Sequence, residues 1–220
     1  EKIILDKKMK EAEKYVTNKR KSINSEVSAQ TYGSSRILSM TFPSYAQQLS
    51  TNCGPAAAYN AIKYKNIVTV DYQGNPLSQT TLGNSTWLNY DGQTTFGSRW
   101  PMTMNAWAPG NNYARLSSSG YSAADWRNKL MNCVIWTIDK GYPVIADTKQ
   151  HTGATSINLS SKYATDYYNA KDCYHYVVIY GYNDLTKTLF FSDSHASFNG
   201  LYAISLYDMA SLTDDFGIVW

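Results

Sequence analysis

Cys53 has the strongest case for nucleophilic chemistry, because it stands where a helix is expected to begin. The stretch from Cys53 to about Lys65 contains four alanines, and Pro55 lies near its start, where a missing N–H group costs nothing. The unpaired N–H groups and partial positive charge of a helix N-terminus favour the thiolate, the reactive form of cysteine. Gly54 is expected to leave the sulfur open to a substrate. A lone cysteine is more often a small buried apolar residue, so this interpretation depends on partners elsewhere in the chain.

A thiolate nucleophile needs an imidazole that pairs with it and later protonates the leaving group. The chain has three histidines. His175 lies at the start of a predicted strand over 174–182, which would hold it rigidly. His151 stands among Gly and Thr in a predicted loop. His195 follows Asp193 on another loop, and chemistry alone does not exclude it. His175 is therefore the candidate base.

A third group should orient the imidazole and hold its tautomer. Asp193 closes the next predicted strand, over 188–192. A turn at Asn183-Asp184 would join the two strands as an antiparallel pair. Positions 175 and 193 are nearly symmetric about that turn. The pattern therefore predicts that His175 and Asp193 lie at the same end of the hairpin.

Acyl transfer also requires hydrogen-bond donors for an oxyanion, and a side-chain amide beside a backbone N–H group provides them. Gln47 and Gln48 both stand on the loop that leads into the Cys53 helix. Either could reach the same point as the Cys53 backbone amide. The residues alone do not choose between them.

Taken in order, these residues resemble the C39-like cysteine peptidases of the papain-like superfamily. In that family a glutamine precedes the catalytic cysteine by six residues, Gly-Pro follows the cysteine, a histidine opens a His-x-Val-Val strand and an aspartate closes the next strand. The resemblance covers about residues 40–195 and favours Gln47 over Gln48. The matching segments here are Asn52-Cys53-Gly54-Pro55-Ala56-Ala57, His175-Tyr176-Val177-Val178 and Phe191-Ser192-Asp193.

The resemblance implies an α+β, papain-like fold, in which a helix carrying the nucleophile at its N-terminus packs on an antiparallel sheet carrying His and Asp. It implies a thiol peptidase that cleaves a peptide or protein substrate through Cys53, His175, Asp193 and Gln47, without a cofactor. Papain-like folds also support transamidation, deamidation and isopeptide chemistry. A non-catalytic module that binds peptides or cell wall is a further alternative, and the sequence does not separate these.

Composition excludes several other classes of function. With 43% hydrophobic residues the chain can bury a core. No run of about 18 apolar residues occurs, so no membrane span is predicted. The net charge of +3 is too small to indicate nucleic-acid binding. The basic excess is confined to residues 1–40, which hold nine basic and five acidic side chains.

The sequence divides into an N-terminal amphipathic segment, 1–35, and a papain-like domain, 36–220. A helix is predicted over 3–28, with its apolar positions on one face: Leu5, Met9, Ala12 and Val16. Three interpretations stay open for it: a helix that contacts the body, a pro-segment remnant near the active-site cleft, and a solvated tail.

Further elements are predicted along the domain. Ser122 should cap a helix over 122–140, and Gly141 should end it. A short buried strand is expected at 143–146, another at 201–205, and a helix at 206–212. Loops with short helices are expected at 66–120, and a polar loop at 147–172.

Two other cysteines are present. Cys133 is expected in the core. Cys173 could pair with it as a disulfide or join His175 at a metal, but two ligands without a second Cys/His cluster make a metal site a poor interpretation. The polar, Tyr-rich composition and the resemblance predict a secreted or cell-surface bacterial protein.

Overall fold

The computed structural model describes residues 2–25, 34–150, 157–165 and 173–220. The helices of this part of the chain are α1 (Lys2–Ser25), α2 (Cys53–Lys65), α3 (Gln79–Gly83), α4 (Arg99–Trp107), α5 (Ala123–Asp139), α6 (Ser161–Thr165) and α7 (Leu206–Leu212). Its strands are β1 (Ser35–Ile37), β2 (Arg115–Ser117), β3 (Val144–Gln150), β4 (Cys173–Asn183), β5 (Thr188–Asp193), β6 (Gly200–Ser205) and β7 (Gly217–Val219).

These strands form one antiparallel sheet in the order β2-β7-β3-β4-β5-β6, with β1 paired to β4. Helices cover both of its faces, and the α+β prediction is confirmed. Alternate residues of β4 point to opposite faces, as the period of a strand requires. Val177 and Ile179 join an apolar cluster with α1, α5 and α7. Val178 and Tyr180 join a second cluster, with α2 and α4.

The helix predicted over 122–140 is confirmed as α5, and its ends have the predicted chemistry. The Ser122 hydroxyl accepts a hydrogen bond from the Asp125 N–H at 3.1 Å and donates to the Asp125 carboxylate at 2.7 Å. Gly141 has a φ of +83°, a left-handed conformation that glycine adopts without strain. The strand at 201–205 and the helix at 206–212 are also confirmed.

The predicted polar loop at 147–172 is wrong where it meets β3, which runs on to Gln150. The Thr148 and Gln150 side chains of this extension are buried, and they bond to each other and to β4. The Thr148 hydroxyl donates to the His175 carbonyl at 2.6 Å, and the Gln150 side-chain amide donates to the Thr148 hydroxyl at 2.8 Å. Part of the same segment forms α6 (Ser161–Thr165).

The N-terminal helix α1 packs on α5. Its buried positions include Met9, Ala12 and Val16. Near its C-terminal end, the Arg20 guanidinium bonds to both oxygens of Asp184, at 2.7 and 2.9 Å. A bidentate pair of this kind fixes orientation as well as distance. The predicted end of the helix, at residue 28, lies outside the described residues.

Candidate active site

Cys53 is the first residue of α2 and is half-buried. The preceding residue, Asn52, does not cap the helix with its side chain. Instead its Oδ1 accepts from the Leu49 N–H at 2.9 Å, and its Nδ2 donates to Gln79 Oε1 at 3.0 Å. Asn52 thus holds the entry loop in place and leaves the N–H groups of the first turn without a side-chain cap, beside the sulfur.

Cys53 lies in a cleft of about 690 Å³. One side comes from the entry loop of α2 and the loop 92–96, and the other from β3, β4 and the residues that precede β7. The lining residues used below are Gln47, Cys53, Thr94, Phe96, Asp147, Tyr174, His175, Tyr176, His195 and Phe216. No described residue of α1 lines this cleft, and a pro-segment role for 1–35 stays a prediction.

His175 and Asp193 are both buried, and their side chains are joined by a hydrogen bond of 2.8 Å between Nε2 and Oδ1. The two residues lie on the neighbouring strands β4 and β5, at the end away from the connecting turn. Because Nε2 is bonded to the carboxylate, Nδ1 is the ring nitrogen that remains for Cys53, whose side chain lies close enough to His175 to shift its pKa. The structure therefore brings the Cys53, His175 and Asp193 side chains together.

Two further donors hold the Asp193 carboxylate. The Tyr163 hydroxyl donates to Oδ2 at 2.7 Å, and the backbone N–H of His195 donates to Oδ1 at 2.8 Å. With the bond from His175, the buried carboxylate accepts three hydrogen bonds. This arrangement fixes its orientation and stabilises its charged form.

The charged forms of His175 and Asp193 stabilise each other. Burial alone would lower the pKa of His175, but the Asp193 carboxylate and the contact with Cys53 raise it well above its ordinary value. Burial would likewise raise the pKa of Asp193, but the charge and hydrogen bond of His175, with the donors His195 and Tyr163, lower it. Both shifts favour an imidazolium–carboxylate pair next to the sulfur.

The remaining histidines have different positions. His195 lines the cleft, but its ring stacks on Phe198 with centroids 3.8 Å apart and lies 6.1 Å from the His175 ring. Its Nδ1 accepts from the Ser197 N–H at 3.2 Å. His195 therefore packs behind the pair instead of between it and Cys53. His151 lies outside the described residues.

Gln47 lines the cleft with Cys53, whereas Gln48 lies on the surface and borders a separate groove. The Gln47 amide nitrogen donates to the carbonyls of Leu49 and Ser50, each at 2.8 Å. These bonds use both hydrogens of the amide. Its Oε1 is buried and has no hydrogen-bond partner among the described residues. In this arrangement the amide stabilises the entry loop, so an oxyanion-binding role requires Nε2 to exchange one carbonyl for the substrate.

Gly54 has a different role from the one that the sequence suggested. It is buried, and a Cβ built on it would overlap the Thr94 side chain. The space next to Gly54 is therefore filled by the loop 92–96, and substrate reaches Cys53 from the cleft and not past Gly54. That loop is positioned further by the Tyr176 hydroxyl, which donates to the Thr94 carbonyl at 3.0 Å.

Sequence reasoning missed two residues of the site, Asp147 and Tyr163. Both fall in the segment that was predicted to be a polar loop. Asp147 is buried and lines the cleft, and burial is the main cause that raises its pKa to about 7. A signal existed for Asp147: it directly follows the apolar run that ends at Ala146, in the register of the same strand.

Among the described residues, no group of three or more His, Cys, Asp or Glu side chains could hold a metal ion. Cys133 and Cys173 do not form a disulfide with each other. Cys133 is buried as predicted, with its sulfur 3.7 Å from that of Met9. In the part of the chain that is described, no helix is long and apolar enough to cross a membrane.

Comparison with known proteins gives a match to a family and matches to solved structures. A model of the Peptidase_C39 like family matches residues 39–214. The fold is similar to the crystal structure of xylellain, a cysteine protease from Xylella fastidiosa, with a TM-score of 0.45, 13% sequence identity and 88% of each chain covered. No curated protein matches the sequence significantly.

Proposed function

Since the chain belongs to the Peptidase_C39 like family and is a cysteine peptidase, we propose that it hydrolyses peptide bonds through Cys53, His175 and Asp193. The observation that carries the proposal is the His175–Asp193 hydrogen bond of 2.8 Å, with Cys53 close to the same imidazole in one cleft. Nucleophile, base and orienting group are the three parts that this chemistry needs.

In the first half of the reaction the Cys53 thiolate attacks the carbonyl carbon of the scissile peptide. The C–S bond forms and the carbonyl oxygen becomes an oxyanion. When the C–N bond breaks, the imidazolium of His175 gives its Nδ1 proton to the leaving amine. Asp193 keeps the ring in the orientation that points Nδ1 at the reacting atoms, and the product is a thioester on Cys53.

In the second half, neutral His175 takes a proton from water at Nδ1, and the water oxygen bonds to the acyl carbon. The C–S bond then breaks, releasing a carboxylic acid and restoring the thiolate–imidazolium pair. The backbone N–H of Cys53 is oriented for the oxyanion because it opens a helix. We assign the second oxyanion donor to Gln47, since it borders the cleft beside Cys53.

The rate of Cys53 alkylation by iodoacetamide, measured against pH by peptide mapping, tests the nucleophile. We expect fast labelling that persists below pH 7 in the parent protein and slows at least tenfold in His175→Ala, since the imidazolium stabilises the thiolate. Cys173 borders the same cleft and is the internal comparison, because His175→Ala should change the labelling of Cys53 much more than that of Cys173.

Hydrolysis itself is measured with internally quenched peptide pools. We expect cleavage that Cys53→Ala abolishes. Slow labelling of Cys53 with the pH dependence of an ordinary thiol, together with no cleavage of any pool, would overturn the proposal. Incorporation of a primary amine into the product, in place of water, would show that the acyl-enzyme is resolved by transamidation instead.

A further inference from the structure

Asp147 is a buried carboxyl group in the cleft that the proposed reaction does not use. It lies on β3, paired with Tyr176 on one side and Gly217 on the other, and it borders the same cleft as Cys53. Only 3% of its surface is exposed. A buried carboxyl that pairs with no lysine or arginine among the described residues is expensive to retain, so its partner should be sought in what the cleft binds.

One oxygen of the Asp147 carboxyl group lacks a hydrogen bond among the described residues. Its Oδ1 is buried without a hydrogen-bond partner in the described part of the chain. The Tyr176 hydroxyl contacts the carboxyl group, but it has one proton, which it donates to the Thr94 carbonyl at 3.0 Å. Tyr176 can therefore only accept from Asp147. While the hydrogen bond to Thr94 is made, a protonated Asp147 carboxyl is the form that can bond to Tyr176; burial raises the pKa of Asp147, and a Tyr176 hydroxyl that turned to donate to the carboxylate would lower it.

The lysine and arginine side chains near this part of the cleft already have other partners. Lys149 pairs with Asp215 at 3.1 Å. Arg115 donates to the Phe96 carbonyl at 3.1 Å. Neither is described as contacting Asp147. The His175 imidazolium also acts on Asp147 and lowers its pKa, but its hydrogen bond goes to Asp193, so Asp147 can still pair with a positive charge on a bound substrate.

Aromatic side chains line the approach to Asp147. The rings of Phe96 and Phe216 have centroids 6.0 Å apart, and those of Phe216 and Tyr174 are 5.2 Å apart. Such walls suit the methylene stem of a lysine or arginine, and ring faces attract the cation as well. A buried acid behind aromatic walls therefore matches an apolar stem that ends in a positive charge.

We propose that Asp147 is the specificity residue of the cleft and receives the side chain of a lysine or arginine of the substrate, next to the bond that Cys53 attacks. The inference rests on the proposed function, since it names the substrate class of the same site. It also makes a separate claim about binding, which can be measured without turnover. Ion pairing with the substrate replaces the proton that Asp147 holds in the empty cleft.

The test measures how well peptide pools protect Cys53 from iodoacetamide. The pools are N-terminally acetylated, so that no α-amine competes, and each fixes one position as Lys, Arg or the uncharged norleucine. The proteins are the parent, Asp147→Asn and Asp215→Asn. Asparagine keeps the shape of the side chain and can donate to Tyr176. Asp215→Asn removes an equal charge at the border of the cleft and is the matched control.

At one position of the peptide, the Lys and Arg pools should protect Cys53 of the parent and of Asp215→Asn from iodoacetamide. The concentrations needed should be at least tenfold lower than those of the norleucine pools. In Asp147→Asn that difference should disappear, while protection by norleucine pools changes less than threefold. Equal protection by all pools in the parent, a preference that survives in Asp147→Asn, or no protection by any pool would overturn the inference. Protection by basic pools without cleavage would instead contradict hydrolysis and leave the binding role supported.

The dependence of the preference on pH is a second readout that needs only the parent protein. A cation binds the ionised carboxyl, so the preference for Lys and Arg should increase as pH rises through about 7, the pKa of Asp147 in the empty cleft. The other titratable groups that face it are His175 and Tyr176 of β4, Asp215 before β7, and Cys53 of α2. Norleucine pools report changes in those groups, because they do not need the Asp147 charge. A preference that does not change with pH would contradict the assignment.

Discussion

Asp193 is the residue on which the orientation of the imidazole depends, because its carboxylate accepts from His175, Tyr163 and the His195 N–H together. In Asp193→Asn, one amide nitrogen would face donors where an acceptor is required. We expect kcat to fall by about 100-fold or more, since a misaligned imidazole cannot protonate the leaving amine. The measurement is kcat on the best peptide pool, with the thermal midpoint as a check of folding. An active, well-folded Asp193→Asn would contradict the assignment.

Gln47 combines two roles at one residue, because its amide donates to the Leu49 and Ser50 carbonyls and also borders the cleft. If it binds the oxyanion, Gln47→Ala lowers kcat by about 100-fold with little change in KM. The control is Gln48→Ala, an exposed neighbour whose kcat should stay within about twofold of the parent. A loss of thermal stability in Gln47→Ala without the fall in kcat would assign Gln47 to the loop alone.

At the scale of single residues, the sequence predicts Cys53, His175 and Asp193, because each lies at or near the end of a helix or strand that the sequence pattern locates. The hairpin turn fixes which ends of β4 and β5 meet, even though the pairing contains a bulge between Ile179 and Gly181 that the pattern does not show. Asp147 could not be predicted in this way. Its place directly after the apolar run is compatible with a continuing strand, but a polar residue there fits a loop equally well, and the burial of Asp147 depends on the pairing of β3 with β4 and β7.

At the scale of elements, the loop 92–96 and the start of α2 fit together through a glycine. A Cβ on residue 54 would overlap Thr94, so Gly54→Ala should displace the loop from the cleft. We expect a loss of about 1–3 kcal/mol in the free energy of unfolding and a lower kcat. Chemical denaturation and peptide cleavage measure the two effects.

Two variants make this prediction specific. The double variant Gly54→Ala, Thr94→Gly removes the overlapping side chain and should regain most of the stability. Gly97→Ala is the matched control in the same region, since a Cβ there has its nearest neighbour at 3.9 Å. Equal effects of Gly54→Ala and Gly97→Ala would contradict the packing explanation.

Elements with strong end signals were predicted well, as α5 illustrates with Ser122 before it and Gly141 after it. The short strands β1, β2 and β7 were not predicted. Each has three residues: β1 pairs with the longer strand β4, β7 pairs with the longer strand β3, and β2 pairs with β7. Such contacts depend on the assembled sheet and leave little pattern in the local sequence.

At the scale of the whole molecule, Lys8 of α1 is a buried amine that links the N-terminal helix to the body. Its Nζ donates to the Trp220 carbonyl at 2.5 Å and to the Asn112 carbonyl at 2.9 Å. Burial is the main cause that lowers its pKa to about 7. In the unfolded chain a lysine keeps a pKa near 10.5, so between about pH 7 and 10 the unfolded state binds a proton that the folded state does not.

This difference in bound protons determines how stability changes with pH. Stability should increase as pH rises from about 7 to 10, by on the order of 1 kcal/mol per pH unit, and Lys8 should add no slope below pH 7. Lys8→Met should remove this slope, because methionine fills similar space without a charge. Urea denaturation of both proteins between pH 6 and 9.5 measures the difference, in which other titrating groups cancel. Parallel curves for the two proteins would contradict the assignment.

The position of Cys133 in the contact between α1 and α5 gives the molecule an intrinsic probe of its own opening. Its thiol touches Met9 of α1, and burial raises its pKa far above the ordinary value. A thiol reagent can therefore reach Cys133 only in molecules whose N-terminal helix has separated from α5. The labelling rate of Cys133, followed beside that of Cys53, would report how often this occurs in a native sample, without a substitution in the chain.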